Sequence, residues 1–106
     1  MFLSAVAQRT KTLRFGPMVY VLPMYHPLRL AEEVCMLDQL SGGRFLYGVG
    51  KGITPYELGY FGVAAADARD IYEEILDITL ALMDPATERF SWHGRHFDFD
   101  DVPVNI

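Results

Sequence analysis

A lysine set between two glycines closes a short apolar run, Arg44-Phe45-Leu46-Tyr47-Gly48-Val49-Gly50-Lys51-Gly52. One cation offered from a glycine-rich mouth suits an anion, most simply a phosphate, because glycine lets a ligand or another strand approach the backbone closely. The spacing matches neither the dinucleotide-binding fingerprint nor the P-loop. A tight strand–loop junction with a surface lysine accounts for the same residues. Arg69 is a second cation of interest, since it falls in the first turn of a predicted helix, where positive charge is mildly unfavourable. It reads either as a solvated arginine or as an anion contact beside the mouth. His93 and His96 with Asp98 and Asp100 bring metal-ligating types together. Odd spacing on a hairpin points the two histidines to opposite faces, so no metal site is expected. A Gly-x-Ser-x-Gly elbow is absent, and paired carboxylates fall only on helix faces, so the residues themselves name no catalytic group.

The elements that must position these groups follow from periodicity. The run Phe45–Val49, bounded by Gly42-Gly43 and Gly50-Lys51-Gly52, has the length and flanks of a buried parallel strand. Its carboxyl end is where open sheets and barrels place their ligands. Upstream, Thr12–Leu22 reads as another strand buried on both faces, with Gly16-Pro17 predicting a bulge or irregular geometry. Between the two lies a helix opened by His26-Pro27. It carries Leu30, Ala31, Val34, Leu37 and Leu40 on one stripe and is stopped by Ser41-Gly42-Gly43. Strand, helix and strand make a βαβ unit, with parallel strands and a right-handed crossover.

Phe2–Gln8 reads as the tail of a helix, with Arg9 and Lys11 near its carboxyl end, and implies a preceding part upstream. Ile53–Ala66 reads as a long loop with Tyr56, Tyr60 and Phe61. Asp67 is predicted to cap a helix through Met83. In it Ile71, Ile75, Ile78 and Leu82 form the buried stripe, Leu80 widens it, and Glu73, Glu74 and Asp77 face away. Phe90–Trp92 and Arg95–Phe99 alternate around His93-Gly94 as a small β-hairpin, after which Val102-Pro103-Val104 trails off.

Composition narrows the function classes. The chain has 106 residues, 51% of them apolar, enough for one domain with a modest core. A formal charge of −5 without a basic cluster argues against a nucleic-acid partner. No run is long enough to cross a membrane, and the first residues do not read as a signal peptide. Cys35 is the single cysteine, so no internal disulfide is possible, which fits a reducing, cytoplasmic compartment.

Four blocks carry a resemblance to a known family. They are Val21-Leu22-Pro23-Met24-Tyr25-His26-Pro27-Leu28-Arg29-Leu30-Ala31-Glu32-Glu33, Leu37-Asp38-Gln39-Leu40-Ser41-Gly42-Gly43-Arg44-Phe45, Gly48-Val49-Gly50-Lys51-Gly52 and Tyr60-Phe61-Gly62. With them the chain, from Phe2 to Asn105, resembles the bacterial luciferase-like flavin monooxygenases. The resemblance implies an α/β fold, a partial TIM (β/α)₈ barrel. Residues 1–106 would form a single fragment of it, a βαβα segment with a small β-hairpin, holding strands three and four and completed by self-association into a homo-oligomer. A whole barrel needs about 250 residues, so the fragment alone is expected to be incomplete for catalysis.

The resemblance also implies reduced FMN as cofactor and a small-molecule substrate such as an aldehyde, oxygenated with O₂. Some relatives use F420 for hydride transfer instead. It places a cis non-prolyl peptide under the flavin ring at Met18-Val19. It puts Gly50 and Ile53 beside the flavin, and Lys51 and Arg69 at its phosphate. A free-standing, non-enzymatic oligomer with weak or no flavin binding is the alternative.

Overall fold

Why the chain folds as a thin slab is set by one two-stranded sheet with helices on one of its faces. The structure, a computed structural model, describes residues 1–105. Its extents are 41 × 34 × 16 Å, the thickness of one sheet and one helix layer. Helix α1 (Phe2–Arg9) leads to strand β1 (Tyr20–Val21), a 3₁₀ turn (Leu22–Met24) and helix α2 (Pro27–Ser41). Strand β2 (Val49–Gly50), the short helix α3 (Pro55–Tyr60), helix α4 (Ala68–Met83) and a hairpin of β3 (Arg89–His93) and β4 (Asp98–Pro103) follow.

The expected parallel pairing around α2 holds. β1 and β2 are parallel, with Tyr20 opposite Val49 and Val21 opposite Gly50. The regular strands are much shorter than expected over Thr12–Leu22 and Phe45–Val49. A single parallel bridge, Phe15 to Phe45, continues the pairing upstream. From there, five residues on the first strand match four on the second before pairing resumes. The extra residue falls in Gly16–Val19, where the proline has no N–H to give the ladder. Here the Met18-Val19 peptide is cis, at the position the resemblance named.

Glycines make this irregular crossing possible. A methyl group on Gly16 would collide with the backbone carbonyl of Leu46, and one on Gly48 with that of Pro17. The glycine repeat therefore serves close approach of a neighbouring strand.

α2 and α4 pack side by side under the sheet. The core joins Phe15, Leu22, Leu30, Val34, Leu37, Phe45 and Ile75, with Ala7 from α1. A second cluster, Ala31, Ile78, Leu82 and Phe90, lies under the hairpin. Leu40 and Leu80, expected in the helix stripes, are exposed at 61% and 54%. α2 ends as predicted, on Gly42 with φ 67°, and the Gly43 N–H reaches Asp38 O at 2.9 Å. Thr79 Oγ1 donates to Leu76 O (3.0 Å), so the Tyr47 hydroxyl donates to Thr79 (3.2 Å) and ties β2's approach to α4.

Four local expectations are corrected. The loop after Gly52 contains α3, started by Pro55 at its first position. Asp67 occupies the N-cap of α4 in helical backbone (φ −92°, ψ −10°), and its side chain makes no capping bond. The hairpin runs on through Val102-Pro103, with Trp92 opposite Phe99 and His93 opposite Asp98. Its turn therefore spans 94–97, closed by Gly94 N–H to Phe97 O at 2.9 Å. Glu74, assigned to the solvent face, is buried (9% exposed).

Candidate functional site

The mouth is assembled where β1 and β2 end together. Tyr47 and Val49 pack with the core, and within β2 alternation turns Gly50 away from it. A Cβ on Gly50 would lie 2.5 Å from Val19 Cγ2, and one on Gly52 2.8 Å from Val21 Cγ1. The missing side chains thus let Val19 and Val21 lie across β2, which keeps the open face low. Gly52 has φ +82°, a backbone that turns the chain away just after Lys51.

Around this surface the candidate residues stand in solvent. Lys51 is exposed, Ile53 is 91% exposed, Met18 99% and Val19 42%. The structure brings Val19 and Gly50 into contact and sets Lys51 and Ile53 on either side of Gly52. Arg69 stands in the first turn of α4, where its Nε donates to Glu73 Oε1 at 2.9 Å. This i,i+4 pair is largely solvated and worth little. Tyr56, Tyr60 and Phe61 of the α3 segment are exposed at 77%, 83% and 61%.

Two residues that organise the surroundings were not singled out from the sequence. Arg44 donates from Nε to Ser41 O (2.7 Å) and from Nη1 to Thr10 Oγ1 and Leu13 O (both 2.8 Å). Its Nη2 donates to Ala7 O (2.9 Å). Its guanidinium also lies 5.4 Å from the Phe15 ring centre.

Glu74 accepts three bonds from the hairpin. Trp92 Nε1 (2.9 Å) and Phe97 N–H (3.0 Å) reach Oε1, and His96 N–H (2.9 Å) reaches Oε2. Burial pushes its carboxyl upward, but these bonds and nearby His96 outweigh it and leave the pKa below the ordinary value. A lowered carboxylate pKa contributes stability above the unfolded-chain value and loses it as pH falls through the folded value. The signal for Glu74 was present in the helix pattern. It is three after Ile71 and four before Ile78, inside the apolar stripe.

Tyr20 and Tyr47 are both raised, burial being the main cause, so each keeps its phenolic proton at neutral pH. Among the described residues no group of three or more His, Cys, Asp and Glu is placed to hold a metal ion. Among the same residues no helix is long and apolar enough to cross a membrane.

A parallel βαβ unit followed by a further helix, with a lysine at the strand ends, is the unit from which α/β folds, barrels among them, are built. The luciferase-like monooxygenase family matches residues 1–106, and the chain belongs to it. A protein of Sinorhizobium fredii, y4wF, is 47% identical over 98% of this chain and 30% of its own length. The alkanal monooxygenase alpha chain of Photobacterium leiognathi is 42% identical over 91% of this chain and 27% of its own. The FMN complex of the oxygenating constituent of 3,6-diketocamphane monooxygenase from Pseudomonas putida superposes with a TM-score of 0.85 at 30% identity. That match covers 98% of this chain and 28% of the solved one. The chain therefore spans under a third of the length of these relatives, and the described residues form no closed barrel.

Proposed function

We propose that this chain supplies the wedge of a flavin-dependent monooxygenase that carries one rim of the flavin cradle, with FMN as the flavin. The observation that supports it most is the low, side-chain-poor surface of Val19, Gly50 and Gly52 with Lys51 at its lip. A planar ring can lie on such a surface, and a flexible ammonium beside it can meet a phosphate as a point charge. In this reading the Met18-Val19 peptide lies under the ring, Gly50 and Ile53 border it, and Lys51 and Arg69 take the phosphate. Arg69 fits because its pair with Glu73 is exposed and can be exchanged for a phosphate oxygen. The FMN held by the diketocamphane enzyme favours FMN over F420. Bound and reduced, the flavin would supply oxygen activation toward a small organic substrate such as an aldehyde. This chain's residues would hold and orient it.

Fluorescence titration with oxidised and reduced FMN tests the reading. Wild type is expected to bind and Lys51→Ala to bind about tenfold more weakly, as loss of one charge-assisted contact implies. Equal binding by the two proteins removes Lys51 from the phosphate role. No binding of either form removes the enzyme reading for the isolated chain.

The open sheet favours a second reading, a non-enzymatic oligomer. β1 and β2 each keep an unpaired edge, and Met18, Leu13 and Leu46 are exposed at 99%, 53% and 46%. Size-exclusion chromatography with light scattering is expected to show a dimer or larger species. A monodisperse monomer would count against self-association in either reading.

A further inference from the structure

We propose that Glu74 is a positioning residue for the flavin mouth, acting through the hairpin that it locks against the starts of α2 and α4. This rests on the flavin reading above and extends it to a carboxylate that lies away from the open face.

The two long helices that the hairpin touches, α2 and α4, both lack a side-chain cap. His26 at the N-cap of α2 and Asp67 at that of α4 make no capping bond. Their first turns therefore need fixing from elsewhere. The hairpin supplies it at both. On α4, Arg95 Nη1 donates to Asp70 Oδ2 (2.8 Å) in the first turn, one residue after Arg69. One turn on, Glu74 takes all three of its bonds from hairpin donors. On α2, Phe97 and Phe99 place their rings 6.2 and 5.8 Å from the His26 ring, and the two phenyl rings stack on each other at 6.1 Å. Phe97 itself is held by its N–H to Glu74. One buried carboxylate thus sets the height of the hairpin tip, and the tip joins the N-cap of α2 to the first turn of α4, which carries Arg69. Space around the lock is fully used. A methyl group on Gly94 would collide with both Glu74 Oε1 and Trp92 Nε1.

The test is Glu74→Gln in the full chain, with Asp77→Asn as a control that removes an exposed charge from the same helix. A glutamine can keep the Oε1 bonds but turns an NH₂ toward the His96 N–H, where two donors meet. Amide hydrogen exchange at His96 and Phe97 reads the lock, and paired titrations with FMN and riboflavin read the mouth. We expect exchange at His96, whose acceptor is replaced by a donor, to rise at least tenfold, and exchange at Phe97, which keeps its Oε1 acceptor, to rise less. FMN affinity should fall at least fivefold, with riboflavin affinity changing less than twofold. The control should alter neither. Faster exchange with FMN affinity unchanged overturns the positioning role, as does unchanged exchange. Equal losses for FMN and riboflavin indicate general loosening and also overturn it. If Glu74→Gln does not fold, Arg95→Ala removes the Asp70 contact alone and should weaken FMN at least twofold while sparing riboflavin; no FMN effect counts as failure. Wild type that binds neither flavin overturns the underlying reading, and exchange at the two amides then judges the lock by itself.

Discussion

Arg44→Ala lowers the stability of the folded chain by about 3 kcal/mol, the cost of dismantling a charge-assisted network whose acceptors at the two helix ends are partly buried. For a domain of this size that corresponds to a fall of about 12–24 °C in the thermal midpoint, read by circular dichroism. The reason is where the acceptors lie. Ala7 O belongs to the last turn of α1 and Ser41 O ends α2, and these are carbonyls that a helix leaves without internal partners. Thr10 Oγ1 and Leu13 O lie on the segment leading to the first strand. One planar fork therefore holds two helix ends and the entry to the sheet. Arg44→Lys should recover less than half of the loss, because a single ammonium cannot reach separated acceptors in the directions a guanidinium does. Full rescue by lysine would show that charge near Phe15 matters and the fork does not.

Gly48→Ala should cost about 2–3 kcal/mol, an overpacking penalty at the upper end because the obstacle is the Pro17 carbonyl and not a side chain that can turn. Gly50→Ala should cost about 1–2 kcal/mol, since its methyl meets only Val19 Cγ2, which can move. Gly59→Ala is the control. It lies in α3 with open space around its Cβ position, and alanine there should stabilise by about 0.5–1 kcal/mol through the unfolded chain. Urea denaturation orders the three. A Gly48→Ala protein as stable as wild type would mean that the two strands do not cross as closely as described.

How far the residues foretell this arrangement differs from element to element. α2 was legible because every cue agrees: Pro27 at its first position, the Leu30–Val34–Leu37 spacing and the left-handed Gly42 stop. The parallel pairing followed from the short βαβ join. Strand length did not, since Gly16-Pro17 announces a disturbance but not that an extra residue must be accommodated against β2. Glu74 defeats the pattern because its charge and its position point to opposite faces. A carboxylate is expected outside, yet this one occupies a stripe position, and its donors come from a hairpin 18 to 23 residues further on, which no local pattern shows. Arg44 was hidden for the same reason, its acceptors being more than 30 residues upstream as well as three residues away. At the mouth, the glycine repeat by itself is compatible with room for a ligand or for a strand. The close contacts of Gly16 and Gly48 assign it first to the strand, and Gly50 leaves its space to Val19.

Amide chemical-shift mapping of the isotope-labelled chain during titration with FMN addresses the proposed cradle most directly. The account predicts saturable shifts grouped at Met18, Val19, Gly50, Lys51, Ile53 and Arg69, with inorganic phosphate reproducing only those at Lys51 and Arg69. Shifts confined to the outer side of the hairpin and α2, or no saturable shift at any FMN concentration, would contradict it.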